Sequence, residues 1–259
     1  MIKFFRSLRQ KLLSESKFGR YILYALGEII LVVIGILIAL EINNANDIRK
    51  NKEQEQQLLT SLLEEFQTNQ TLLDSTIKRN KEIYTRAINI GEFTGPSLPV
   101  ISELKLSQLL VGAFKYESRY VPNLGTINEI NNSGKLSLIS DPGLRKSLSE
   151  WQSQLELVHN QERYVVERRD IGQEFFIKYG NFRRHLFIIK DALHVPTPSR
   201  FPDNDFSFLK NQEFESSLYL FIVASINLNE AFYLPMKQQT DKLIDDIKSN
   251  MQGSITRVD

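Results

Sequence analysis

The sequence predicts an all-α protein, with an N-terminal transmembrane helix that continues as a stalk into an antiparallel helical bundle. Three observations support this class. Tyr21–Ile42 (YILYALGEIILVVIGILIALEI) is an apolar run with Glu28 as the charge in its interior, and nothing else in the chain equals it. No Gly or Pro interrupts Asn43 to about Ile90, so a helix can continue straight out of that run. Further along, apolar residues recur at three- and four-residue spacing, and no period-2 run is long enough for a sheet.

Residues 1–20 form a basic segment expected on the cytoplasmic side. Ile2, Phe5, Leu8 and Leu12 stand at helical spacing with Arg6, Arg9 and Lys11 on other faces. That pattern suits a short amphipathic helix on an anionic leaflet, or simply a positive-inside signal. The transmembrane helix follows at 21–42. Ile22–Ile42 measures roughly 31 Å as a helix, the hydrocarbon thickness of a bilayer. A cleaved signal peptide would have a shorter apolar core and a small-x-small site. Here the run passes into Glu41-Ile42-Asn43-Asn44, so an uncleaved anchor is expected. Lys3, Arg6, Arg9, Lys11, Lys17 and Arg20 precede the span against Glu15 alone, whereas Arg49, Lys50 and Lys52 after it are diluted by acids. The bias places the N-terminus in the cytoplasm and the C-terminal domain in the periplasm, with the span in the inner membrane.

Within the span, Gly27, Gly35 and Ala39 fall near one stripe, and Gly35-x-x-x-Ala39 would let two helices approach closely. Glu28 beside them pairs with a partner helix, or snorkels inward with Tyr24 and Arg20 as local partners. These four residues are the candidate helix-packing set.

Residues 43–57 (NNANDIRKNKEQEQQ) are polar all round and form the expected stalk, holding the domain about 20 Å from the bilayer. The domain itself is 58–259. Leu58, Leu59, Leu62, Phe66, Leu73, Ile77, Tyr84 and Ala87 mark a first apolar face, with gaps at Asn69/Gln70 and Asn80. Gly91–Pro99 breaks that helix, and a shorter one is expected over Ser102–Tyr116. A connection from Arg119 to Ser133 includes a helical turn at Thr126–Asn131. Asp141 as cap and Pro142 at the first helical position open a long helix to about Tyr179. Asn181–Leu193 is aromatic and basic, and Val195–Asp205 with its three prolines is a loop. The last helical region starts near Phe208, is kinked or broken at Pro235, and ends on Leu243, Ile244, Ile247 and Met251.

The strings MIKFFRSLRQKLL and KFGRYILYALGEIILVVIGILIALEINN resemble the N-terminus of the DUF6090 family of Bacteroidetes membrane proteins. The resemblance is dense over Met1–Asn44, and GKLSLISDPGLRKSL at Gly134–Leu148 echoes it. Two positions depart: Glu41 stands where the family usually has Gln, and Ala45 where it has Trp, an interfacial anchor. The resemblance implies a one-pass anchor with a helical outer domain, and no known function.

Net charge is +1 and the first twenty residues hold +5, so the remainder carries about −4. That leaves no positive surplus for nucleic acid. With no Cys, disulfides, thiolate metal sites and a Cys nucleophile are excluded. Glu156-x-x-His159 and Asp191-x-x-His194 have the spacing of a di-iron bundle, with Glu64, Glu65 and Glu213 as nominal partners. They border apolar faces or abut the proline loop, which favours solvated surface. No phosphate loop, nucleophile elbow or dinucleotide fingerprint is present, so neither an enzyme nor a cofactor is expected.

A scaffold or accessory subunit, acting through contacts of the outer domain with its own copy or another membrane protein, is the expected role. The alternative is a sensor holding a small molecule near Trp151 and the cluster Arg163, Arg168, Arg183 and Arg184. That cluster, with Arg169, otherwise pairs with Glu162, Glu167, Asp170 and Glu174 on a salt-bridged face.

Overall fold

The computed structural model describes residues 17–97, 99–190 and 197–255. The predicted amphipathic segment over residues 2–18 lies almost wholly outside them, as do Asp191 and His194 and the side chains of Arg20 and Tyr24. The described chain is all-α, with no strand. Contacts divide it into two compact units, residues 1–55 and 56–259. The helix α1, Lys17–Gly91, belongs to both.

In the first unit α1 carries Ile22–Ile42 with its described side chains exposed, among them Leu31 at 73% and Leu37 at 61%. This stretch is long and apolar enough to cross a membrane, and none of it is buried by the chain itself.

The second unit is a bundle. After α1 come α2 (Glu103–Phe114), α3 (Gly125–Ser133), α4 (Pro142–Tyr179) and α5 (Phe182–Ile188). Then α6 (Gln212–Asn227) passes through a π-helical segment (Leu228–Tyr233) into α7 (Leu234–Ile255). Short 3₁₀ turns sit at Lys135–Leu138 and Ser207–Lys210.

Local chemistry sets the boundaries. Ser102 caps α2 by accepting from the Lys105 N–H. Asp141 caps α4 by accepting from the Gly143 N–H at 2.8 Å, with Pro142 in the first turn. Asn181 and Asn211 do the same for α5 and α6. Gly134 ends α3 at φ 71°, a left-handed conformation that glycine adopts without strain.

Pro235 does not break the last helix, which runs through it to Ile255. Proline cannot donate to the carbonyl four residues back, and its ring crowds that carbonyl. The chain widens just upstream instead: the Leu234 N–H bonds to the Asn229 carbonyl, five residues back. The π segment absorbs the ring and α7 continues.

Long-range pairs give the directions. Along α1, Gln70, Asp74 and Asn80 meet Asp241, Lys237 and Asn229, and just past its end Thr94 meets Glu215, so α6–α7 runs antiparallel to α1. Along α4, Asp141, Trp151, Glu162 and Phe175 meet Asn250, Thr240, Tyr233 and Phe214, antiparallel again. Hence α1 and α4 run parallel, joined by the crossover through α2 and α3. The core fills the space between these rods. Leu59, Leu62, Phe66, Phe114, Trp151, Val158, Phe176, Phe221, Tyr233 and Ile247 are at most 1% exposed. Each large apolar side chain so buried stabilises the fold by about 1.5–3 kcal/mol.

Candidate functional site

Three places in the described chain gather polar, charged or small side chains and are the candidates for a functional site. The first is a face of α1 in the first unit. Glu28, Val32, Gly35, Ala39, Ile42, Asn46, Arg49 and Glu53 follow one another at alternating spacings of four and three, a heptad seam on one continuous helix. A Cβ placed on Gly27 or Gly35 would meet nothing within 4 Å. Three of the four sequence-predicted packing residues, Glu28, Gly35 and Ala39, lie on this seam, and Gly27 is one position beside it.

The second is a buried polar seam in the bundle. Glu162, on α4, is 2% exposed. Its Oε1 accepts from the Tyr120 backbone N–H and from the Tyr233 hydroxyl, both at 2.7 Å. Burial raises its carboxyl above the usual range, with these two donors pulling the other way. His159 Nε2 lies 3.2 Å from the Tyr120 carbonyl. The same connection is clamped to α1 by Asn69, which donates to the Asn123 carbonyl and accepts from the Asn123 N–H, both at 2.7 Å. Asn80 donates to the Ser225 carbonyl and to Asn229 Oδ1, both at 2.8 Å. The two gaps in the first apolar face are therefore buried asparagines that fix helix register.

Glu162 gives a direct test. A folded-state acid with a raised pKa favours its protonated form. That contribution is full below the unfolded value near 4.3 and is lost as pH rises through the folded value. Glu162→Gln keeps an acceptor and removes the charge, so its urea midpoint at pH 7.5 should equal or exceed the parent's. Glu162→Leu orphans the Tyr120 N–H and the Tyr233 hydroxyl and should cost about 2–4 kcal/mol.

The third place is where α2, α5 and the loop before α6 meet. Arg184 makes a two-pronged pair with Glu103, Nε to Oε1 at 2.7 Å and Nη2 to Oε2 at 2.8 Å, and reaches Asp203 at 2.9 Å. The hydrogen bond from Arg184 holds the Glu103 carboxyl below its ordinary value. Next to it His185 is fully buried, with Nδ1 2.7 Å from Ser107 Oγ and 3.3 Å from Asn204 Nδ2. Its Nε2 is buried without a hydrogen bond, against Gly180. Burial pushes its pKa down to about 4, so the ring is neutral near pH 7.

The sequence-predicted ligand set is not brought together. Trp151 is fully buried, edge-on to Phe66 at 5.0 Å, with its indole N–H donating to Thr240 Oγ1 at 2.9 Å. It is a core residue. Arg183 and Arg184 follow the far end of α4, roughly 40 Å along that helix from Trp151. Arg163 donates to Asn160, Arg168 lies over the Tyr164 ring, and Arg183 donates to Thr197. Arg169 pairs with Asp170 and Glu117. Glu162 is not one of their surface partners, because it is inside the bundle.

The residues weighed for a metal are also apart. Glu65 is buried and accepts from the Thr126 and Ile127 N–H groups at the start of α3, while Glu64, Glu156 and Glu213 are exposed. Among the described residues no three His, Asp or Glu side chains group to hold an ion. Sequence reading missed Glu103–Arg184 and Ser107–His185, whose members are 81 and 78 residues apart.

The family profile described as a family of unknown function (DUF6090) matches residues 28–182. That is more than half of the 259 residues. The chain belongs to the DUF6090 family. No curated protein and no solved structure matches it. The stretch shared with DUF6090 starts inside the apolar run of α1 and ends at the first residue of α5. It therefore holds the heptad seam, Asn69, Asn80 and Glu162, whereas Tyr233 and Asn229 lie beyond it. The DUF6090 echo at Gly134–Leu148 is structurally two helix boundaries. Gly134 closes α3, Asp141 and Pro142 open α4, and Ile139, Leu144 and Leu148 between and after them are buried.

Proposed function

We propose that this DUF6090 protein is a single-pass inner-membrane protein, with residues 1–20 in the cytoplasm and the bundle in the periplasm. The bundle acts there as a membrane-anchored scaffold or accessory subunit, through contacts rather than chemistry. The observation that carries this reading is the exposed apolar run of α1. The described side chains of Ile22–Ile42 stay uncovered by the protein's own fold, and a bilayer is the solvent that suits a run of about 21 residues. The excess of Lys and Arg before the run supports the orientation.

A second helix on the seam of Glu28, Gly35 and Ala39 would bury the small residues against each other and give Glu28 a partner away from lipid. Either a second copy or another membrane protein fits. The filled surroundings of Trp151 favour contacts over a ligand held there.

Mild-detergent extraction with crosslinking and mass spectrometry tests the reading. A reproducible dimer or one recurrent membrane partner is expected. Gly35→Leu with Ala39→Leu should lower that yield several-fold while leaving the thermal melt of the bundle unchanged, since Gly35 touches nothing in the protein. Recovery of monomer alone, with no recurrent partner, would refute it.

A further inference from the structure

A groove of about 340 Å³ lies between α1 and α2, lined by Arg79, Glu82, Ile83, Arg86, Gly112 and Tyr116. The α1 members stand at i, i+3, i+4 and i+7, one face of the helix. Ile83 is 4% exposed and forms an apolar floor, while the Tyr116 ring is 54% exposed at the rim. Among the described residues Arg79 has no acidic partner. Arg86 has only Glu82, at 3.9 Å, with both side chains about half exposed. Gly112 makes this arrangement possible. A Cβ there would collide with Cδ and Nε of Arg86, so a larger residue would displace the arginine side chain from its place in the groove.

The charge around the groove is out of keeping with the rest of the chain after residue 20. Residues 78–86 (KRNKEIYTR) hold Lys78, Arg79, Lys81 and Arg86 against Glu82, a net +3. The sequence after residue 20 holds +1 minus +5, or −4. A cationic strip is thus concentrated on about two and a half turns of an otherwise acidic domain.

We propose that this groove receives an acidic side chain, Glu or Asp, from a protein partner, with an apolar neighbour of that side chain packed on Tyr116. This deepens the contact-based reading and rests on it. Guanidinium forks match carboxylates in charge and in planar geometry, and Arg and Tyr are the side chains that concentrate binding energy at interfaces. The groove is open along one side and at the small end of ligand-pocket volumes, so it would leave a small molecule largely uncovered. A protruding side chain with a chain attached suits it better. A free anion would use the cations and leave the ring and the Ile83 floor unused.

The test uses the full chain in detergent micelles, with the arginine Nε–H signals followed by ¹⁵N NMR. The probes are an acetylated, amidated pentapeptide of alternating Leu and Glu, its Gln counterpart, sodium glutamate and inorganic phosphate. The Arg79 and Arg86 signals should shift saturably with the Glu peptide and bind the Gln peptide at least about tenfold more weakly, the worth of a charge-assisted hydrogen bond. Arg79→Gln, at an exposed position that does not endanger folding, should weaken binding about fivefold or more, and Arg163→Gln should leave it unchanged. Equal response to the Gln peptide, equal affinity for glutamate or phosphate, or no shift at all overturns the proposal. None of these outcomes touches the crosslinking result, which reads the membrane helix and any other surface of the bundle.

Discussion

Trp151→Ala is expected to destabilise the bundle by about 3–5 kcal/mol, the cost of emptying a large fully buried aromatic site. Trp151 is packed from three sides: Phe66 of α1 meets it edge-on, Thr240 of α7 accepts its indole proton, and Leu148 and Leu155 flank it on α4. It ties together the three long rods, so the cavity left by alanine cannot close by moving one of them. Trp151→Phe should cost far less, about 1–2 kcal/mol. It keeps most of the ring, and the Thr240 hydroxyl still donates to the Met236 carbonyl at 2.8 Å. Urea unfolding followed by far-UV circular dichroism separates the two variants. A loss under about 1 kcal/mol for Trp151→Ala would show a side chain facing open space, as a ligand site requires.

Acid is the second large lever, and His185 is its handle. The ring is fully buried and its pKa is pushed down to about 4, against about 6.5 in an unfolded chain. A histidine with a depressed folded value binds fewer protons when folded. Its contribution is full above pH 6.5 and is lost as pH falls from there towards 4. The difference amounts to about 3 kcal/mol. Glu162 works the other way, because protonation relieves its burial as pH falls towards the unfolded carboxyl value. The two are separable: in a Glu162→Gln background the slope of stability between pH 6.5 and 5 should steepen. Adding His185→Gln, which keeps an acceptor for Ser107, should flatten it. Unfolding midpoints at half-unit pH steps read both effects.

What the sequence displayed was mostly local. The end of α1 at Gly91, the start of α4 at Asp141-Pro142 and the start of α2 near Ser102 were legible because a helix boundary needs only its own three or four neighbours. Trp151, which the sequence offered as a ligand contact, stands at helical spacing with Leu148 and Leu155 in the buried stripe of α4. Glu162 was not. A glutamate flanked by arginines on a helix looks like surface, and only the antiparallel fit of Tyr233 and the passage of Tyr120 beside it bury it. Asn69 and Asn80 showed as gaps in a face, without the partners that explain them. Pro235 leaves its helix unbroken because the relief lies upstream, in the π segment that holds Asn229, and no sequence signal marks that segment. The groove at Arg79 and Arg86 needs α2 alongside, and no motif announces it.

The central claim is that α1 crosses the bilayer with the bundle on the outer side. The chain has no cysteine, so single cysteines can be introduced without background. Lys210→Cys, exposed in the turn before α6, and Gln10→Cys, ahead of the apolar run, are the two reporters. With a membrane-impermeant maleimide on spheroplasts, Lys210→Cys should label while the cells are intact, and Gln10→Cys only after lysis. Labelling of Gln10→Cys alone in intact cells, or recovery of the full-length chain in the soluble fraction, would contradict it.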